Sequence, residues 1–107
     1  MKSKAFDIRQ NELMIKREQY LKEADKIADF LKQNYRVEKV VLFGSVLNPD
    51  RFNSYSDIDL LVYGLKADYL SVYGGILGFT SLKFDLIPEE KASPYILKSL
   101  NENRLEL

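Results

Sequence analysis

The sequence contains neither cysteine nor histidine, and these two absences exclude several kinds of chemistry. Without cysteine there is no disulfide framework and no thiolate metal site. The same absence fits a reducing compartment, and we expect a cytoplasmic protein. Without histidine there is no imidazole base or ligand, which excludes Ser-His-Asp and Cys-His mechanisms. Any chemistry must therefore use carboxylates, hydroxyls, amines, guanidinium groups or a bound metal.

A charge excess and a long apolar run are also missing. Sixteen basic and sixteen acidic side chains give a formal net charge of zero, whereas proteins that hold nucleic acid through its phosphates usually carry a basic excess. We therefore expect no direct nucleic-acid binding. No apolar run approaches the roughly 20 residues of a membrane helix. The N-terminal residues Met1 to Lys4 are not followed by the apolar region of a signal peptide, so no association with a membrane is expected.

The length of 107 residues favours one folding unit with one core. We predict a single domain over residues 1–107, with an N-terminal helix in residues 1–35 and a core in residues 37–107. From about Asp7 to Tyr35, apolar residues recur at three- and four-residue steps without glycine or proline, which predicts a long helix. The basic residues of the N-terminal stretch are expected to form a solvated helix face, with contact to an acidic partner as the alternative, namely Lys2, Lys4, Arg9, Lys16 and Arg17.

Three short apolar runs predict the strands of a sheet. The first is Val40–Phe43, the second runs from Asp57 to about Tyr63, and the third runs from about Ser81 to Ile87. A loop is expected over residues 48–56, a weaker helix over residues 67–77, and a last helix that begins near Ser93 and frays from Asn101. The order α-β-β-α-β-α predicts an α/β (α+β) fold, a small mixed sheet packed with helices.

Two aspartates at the start of the second strand carry the strongest functional signal. Side chains at alternate strand positions point the same way, so Asp57 and Asp59 share one face while Ile58 and Leu60 face the core. Two carboxylates held this close raise each other's pKa unless a cation lies between them. Oxygen ligands favour Mg²⁺ or Mn²⁺ over zinc. The spacing therefore predicts a divalent metal site.

A third carboxylate and a Gly-Ser pair extend this candidate site. Asp85 interrupts the otherwise apolar third strand, where an ionised side chain is out of place. In a strand next to Asp57 and Asp59 it can bind a second metal ion or accept a proton from an attacking hydroxyl. Gly44 allows close approach of its backbone, and Ser45 can donate to phosphate oxygens. Together these residues predict transfer at phosphorus, with metal ions neutralising the charge on oxygen.

Each of these features alone has an ordinary structural interpretation. Gly-Ser is a common turn, Asp-x-Asp is often a solvated strand edge or a cap, and Asp85 alone fits a satisfied polar residue at a strand end. The combination is more specific than its parts. An apolar strand, Gly-Ser, a loop, Asp-x-Asp and a third aspartate inside another strand are difficult to explain by structure alone.

These motifs resemble the minimal nucleotidyltransferases (MNT) of the DNA polymerase β superfamily. The resemblance runs from about Val37 to the C-terminus and is carried by Val41-Leu42-Phe43-Gly44-Ser45, Ser56-Asp57-Ile58-Asp59-Leu60-Leu61-Val62 and Phe84-Asp85-Leu86-Ile87. It implies the nucleotidyltransferase fold with a long N-terminal helix. It also implies that Gly44 and Ser45 bind the triphosphate of ATP, and that Asp57, Asp59 and Asp85 are catalytic and hold Mg²⁺ or Mn²⁺.

One departure from the family pattern concerns the phosphate site. Many members have a basic residue shortly after Gly-Ser, whereas Val46-Leu47-Asn48 follows here. Arg51 is the expected substitute.

The resemblance further implies a partner, a HEPN-domain RNase toxin. Minimal members act as its antitoxin by transferring AMP from ATP to a toxin tyrosine, and a hetero-oligomer is expected. Two alternatives stay open: a non-catalytic antitoxin that acts by occlusion, and the catalytic subunit of a two-protein enzyme that modifies a small molecule. Exposed aromatic residues are candidates for the partner surface, against the alternative of ordinary packing, namely Phe52, Tyr55, Tyr69 and Tyr73.

Overall fold

The computed structural model describes residues 4–107, with side chains from Arg9 onward. The predictions for the side chains of Lys2 and Lys4, and for Met1–Ser3, lie outside the described residues. Three helices and four strands follow one another along the chain: α1 (Lys4–Tyr35), β1 (Lys39–Phe43), β2 (Ile58–Tyr63), α2 (Tyr69–Leu77), β3 (Phe84–Pro88), α3 (Pro94–Glu102) and β4 (Arg104–Glu106). Short 3₁₀ turns at Ser45–Leu47 and Glu89–Lys91 follow β1 and β3.

The four strands form one mixed sheet in the order β3-β2-β1-β4. β1 pairs antiparallel with both β2 and β4, whereas β2 and β3 run parallel because α2 crosses between them. The predicted fold class, a small mixed sheet with helices and a long N-terminal helix, is confirmed. The predicted strand and helix positions hold to within about three residues, the usual uncertainty of element ends.

The sheet has two different faces because strand residues alternate. One face packs against α1 and α2 and forms the larger core, to which Leu42, Ile58 and Leu60 contribute fully buried side chains. The other face carries a smaller apolar cluster around Phe43 and Leu61, covered by α3. Since Ile58 and Leu60 face the larger core, Asp59 between them is on the α3 side.

The N-terminal helix packs on the sheet through its second half. The buried residues of α1 begin at Tyr20, whose ring meets Phe52 edge-on with centroids 5.4 Å apart. The expectation of a solvated basic face is wrong for Arg17, because its Nε donates to the carbonyl of Val46 at 2.7 Å. Arg17 thereby links α1 to the turn that follows β1. Within the described part of the chain, no helix is long and apolar enough to cross a membrane.

The C-terminal segment differs from its prediction. Ser93 caps α3 as expected, accepting from the Ile96 amide at 3.2 Å, but the helix does not fray at Asn101. It continues to Glu102, and the next residues form β4 beside β1. A three-residue strand has too short an alternation to be recognised in the sequence, and only pairing with β1 defines it.

The aromatic residues expected at the surface are mostly packed. Phe52 is buried, so its expected exposure is wrong. Tyr73 stacks on Phe84 with centroids 4.5 Å apart, and the Tyr69 hydroxyl donates to the Leu86 carbonyl at 2.9 Å. Of the four, only Tyr55 is largely exposed. Packing within the domain is therefore the better account of the other three.

Candidate active site

Strand register brings two of the three predicted carboxylates side by side. Asp59 in β2 is the register partner of Asp85 in the parallel strand β3, and of Phe43 in β1. Register partners on neighbouring strands point to the same face about 4.8 Å apart. Asp85 is exposed, whereas Asp59 is half-buried. Asp57 immediately precedes β2, whose first amide, that of Ile58, bonds to the carbonyl of Lys83, the residue directly before β3.

The electrostatics of Asp59 reflect this crowding. Burial, followed by the negative charges of Asp57 and Asp85, raises the pKa of Asp59 from 3.8 to about 6. Burial, followed by the charge of Asp85, also raises the pKa of the Tyr69 hydroxyl. Both shifts have the sign expected where negative charge accumulates without a compensating cation.

Asp57 has a carboxylate oxygen left unsatisfied by the described part of the chain. Its Oδ1 atom is buried and has no hydrogen-bond partner among the described residues. A buried acceptor left unpaired is costly, and a cation is one group that would satisfy it. In the described residues, however, no three acidic side chains converge as the ligands of a metal ion do. The carboxylates therefore fit a divalent cation in chemistry and charge, and metal binding by Asp57, Asp59 and Asp85 stays a prediction.

The backbone conformation of Gly44 brings it close to one of the same carboxylates. It follows β1 with φ +88°, a region that residues with a side chain rarely adopt. A β-carbon at this position would lie 2.5 Å from Asp59 Oδ2. Glycine is therefore favoured by the positive φ of the turn, and it leaves the Asp59 carboxylate undisplaced.

Ser45 is held by a residue that the sequence analysis missed. The Ser45 hydroxyl donates to Ser56 Oγ at 2.8 Å, and Ser56 Oγ also accepts from the Asn53 amide at 3.0 Å. Ser56 itself is buried. This contact ties the turn after β1 to the loop that delivers Asp57. The signal available in the sequence was a serine directly before Asp-x-Asp.

A cleft of about 380 Å³ opens beside Asp59, between the end of β1 and α3. Small-molecule sites typically measure about 300–1,000 Å³. Of the predicted site residues, those that line it are Gly44, Ser45, Arg51 and Asp59. Asp57 and Asp85 are not part of its lining as the structure describes it. Asp59 therefore lies between the cleft on one side and Asp85 on the other.

One face of α3 supplies the opposite wall of the cleft. Residues at helical steps of three and four line it, namely Tyr95, Lys98, Ser99 and Glu102. None of them is a site residue predicted from the sequence. Their spacing gives a polar helix face, but polar faces usually contact solvent, so only the packing of α3 on the sheet identifies them.

Two positively charged side chains line the cleft, and their surroundings differ. Arg51 lies 3.6 Å from the Glu102 carboxylate, with both side chains largely exposed. Lys98 makes no ion pair with any described residue. Arg51 from the following loop and Lys98 from α3 are thus the basic residues that line the cleft together with Gly44 and Ser45.

The chain is similar to a known protein family. A family model described as "Nucleotidyltransferase domain" matches residues 24–107, which include the whole sheet and the last twelve residues of α1. No curated protein and no solved structure matches the chain.

Proposed function

This chain belongs to the nucleotidyltransferase domain family, and from that premise we propose that it transfers AMP from ATP to a tyrosine hydroxyl of a partner protein. The partner would be a HEPN-domain RNase toxin, the class implied by the resemblance to minimal nucleotidyltransferases, and the chain would act as its antitoxin. The single observation that carries the transferase activity is the position of Asp59, between the cleft wall at Gly44 and the neighbouring carboxylate of Asp85.

The cleft is the proposed site of ATP. Its size suits a nucleotide, and its two cations, Arg51 and Lys98, would contact the triphosphate. The Ser45 hydroxyl, once turned from Ser56, would donate to a phosphate oxygen. Tyr95 is 81% exposed and lines the same cleft, so its ring offers an open face for the base.

Asp57, Asp59 and Asp85 are the residues that would hold Mg²⁺ or Mn²⁺. The unpaired Oδ1 of Asp57 and the raised pKa of Asp59 support this assignment. When bound, such an ion neutralises charge on the phosphate oxygens and orients the triphosphate. A cation bound between these carboxylates would favour their ionised form.

The transfer itself needs an acceptor on the side of Asp59 away from the cleft. The tyrosine oxygen forms a bond with the α-phosphorus while the bond from that phosphorus to the bridging oxygen breaks, and pyrophosphate leaves. The acceptor proton passes to a carboxylate, for which Asp85 is the candidate because it is exposed next to Asp59. Residues 4–107 contribute no second lobe over Asp85, so the acceptor is expected to bring its own surface.

Two other functions stay as alternatives: occlusion of a toxin without catalysis, and modification of a small molecule together with a second subunit. Occlusion gives no reason for Asp57 and Asp85 to lie close enough to Asp59 for their charges to raise its pKa. Adenylyl transfer to a protein accounts for the proximity of the carboxylates. It also accounts for the open side at Asp85, where the acceptor protein would supply the second wall.

The test uses the protein together with the product of its neighbouring gene, α-labelled ATP and Mg²⁺. We expect label on the partner, a discrete mass increase of one AMP per modified tyrosine, and no label with the variant Asp57→Ala/Asp59→Ala. The matched control is Asp25→Ala/Asp29→Ala, which removes two exposed aspartates from α1 and should leave transfer unchanged. Equal labelling by both double variants would contradict the proposal. A partner that is bound and inhibited by this chain but carries no label would favour occlusion.

A further inference from the structure

We propose that β4 is a self-complementary edge through which two copies of this chain join into one continuous sheet. β4 is at one end of the strand order, so its outer side pairs with no strand of the described residues. Unpaired edges invite a further strand, and folded proteins usually protect them. This inference does not depend on the proposed function.

The opposite edge of the sheet is partly protected, whereas β4 is not. The Ile58 amide bonds to the carbonyl of Lys83, directly before β3, so the backbone groups of Phe84, Leu86 and Pro88 point away from β2. The Leu86 carbonyl accepts the Tyr69 hydroxyl, and proline has no amide hydrogen. No side chain of the described residues bonds to the outer backbone groups of β4.

The register of β4 determines which of its groups are free. The Leu107 amide donates to the Val40 carbonyl at 2.9 Å, and Leu105 is the register partner of Leu42. In an antiparallel pair, hydrogen-bonded and non-hydrogen-bonded positions alternate. The backbone groups of Leu105 and Leu107 therefore face β1, and those of Arg104 and Glu106 face outward.

A second copy fits this edge in one register. With a two-fold axis at Leu105, Arg104 lies opposite Glu106 of the other copy, and Glu106 lies opposite its Arg104. Both positions have outward backbone groups, so the pairing forms two ladder hydrogen bonds at each. The side chains opposite each other then carry opposite charges on one face, a pairing that stabilises antiparallel strands. Leu105 meets its own equivalent on the other face.

The side chains of β4 are available for this contact. Arg104 and Glu106 are exposed, and neither forms an ion pair with any described residue. Leu105 is 47% exposed, although it shares the sheet face of the buried Leu42. The self-complementary order Arg-Leu-Glu is what favours a second copy over an unrelated strand, since the same three residues satisfy both sides. The paired segment is short, so a weak, concentration-dependent dimer is expected.

The first test is charge exchange, read by sedimentation equilibrium from about 10 µM to about 1 mM. We expect the native chain to move from the mass of one chain toward that of two. Arg104→Glu and Glu106→Arg should each raise the dissociation constant at least about tenfold, because like charges then face each other twice. The double variant Arg104→Glu/Glu106→Arg should return it to within about threefold of the native value. Lys22→Glu, on the exposed surface of α1, is the control and should change nothing.

The second test uses the absence of cysteine from the chain. Leu105→Cys places one thiol opposite its equivalent in a non-hydrogen-bonded pair, where Cα atoms approach to about 4.5 Å and a disulfide fits. We expect a covalent dimer on mild oxidation. Arg104→Cys should crosslink far less, since its equivalent is two residues away along the partner strand. A native chain that stays monomeric over the whole range, or a double charge variant that does not recover, would overturn the proposal.

Discussion

The α-carbon of Gly44 faces the carboxylate of Asp59 so closely that a side chain at position 44 would displace this carboxylate. A β-carbon at position 44 would come within 2.5 Å of Asp59 Oδ2. The contact exists because Phe43 and Asp59 are register partners, so the chain turns away from β1 directly beside the carboxylate. The same turn carries Ser45 into the cleft. Gly44 thus couples the phosphate side of the site to its acidic side.

Gly44→Ala is expected to destabilise the protein by about 1–3 kcal/mol, through the positive φ and the displaced carboxylate. Nucleotide transfer should be lost even where the variant is folded. Urea unfolding and a transfer assay measure the two effects. Gly74→Ala is the matched control, since a β-carbon there meets nothing within 4 Å. In a helix, this change should be neutral or stabilising by up to about 1 kcal/mol. Equal effects of the two substitutions would contradict the role given to Gly44.

The raised pKa of Asp59 predicts how the metal-free protein responds to pH. Because the pKa rises from 3.8 to about 6 on folding, the native state binds this proton more tightly. The resulting stability is fully present below pH 3.8 and is lost as the pH rises through about 6. We expect a contribution of about 1–2 kcal/mol, reduced because Asp59 is only half-buried.

Melting temperatures of the native chain and Asp59→Asn, compared between pH 4 and pH 8 in chelator, test this expectation. The difference between the two proteins should grow in favour of the variant as the pH rises through about 6. Mg²⁺ should stabilise the native chain more at pH 8 than at pH 5, because protons compete for the same carboxylate. If the difference in melting temperature between the two proteins does not change with pH, the raised pKa of Asp59 is refuted.

Lys98→Ala should weaken ATP binding by on the order of tenfold, since it removes a charged contact to phosphate. The binding should also become less sensitive to salt. Isothermal titration measures both quantities. Lys66→Ala removes an exposed lysine that lies outside the cleft and serves as the control. If the two lysine variants bind ATP equally well, α3 does not form the phosphate wall.

Glu102→Gln is expected to tighten ATP binding severalfold. It removes a negative charge from the cleft and releases Arg51 from a contact of 3.6 Å. The stability of the fold should not change measurably, because exposed ion pairs contribute little. Arg51→Ala should have the opposite effect on affinity. Weaker binding by Glu102→Gln would indicate that the ion pair holds Arg51 in place for the nucleotide.

The sequence by itself determined the local features of the site. Strand alternation put Ile58 and Leu60 into the core and left Asp59 on the other face. The apolar run before Gly44 defined a strand and its end. The absence of cysteine and histidine limited the chemistry to carboxylates, hydroxyls and cations. The two strand features depend on residues only a few positions apart. The directions of their side chains follow from the two-residue repeat of a strand.

Only the tertiary structure decided which distant residues meet. The parallel register of β2 and β3 set Asp85 beside Asp59, and the packing of α3 turned Lys98 toward the cleft. The pairing with β1 made a strand of Arg104–Glu106. Sequence patterns give the face of an element but not its neighbours, because register and packing are settled by contacts across the whole domain.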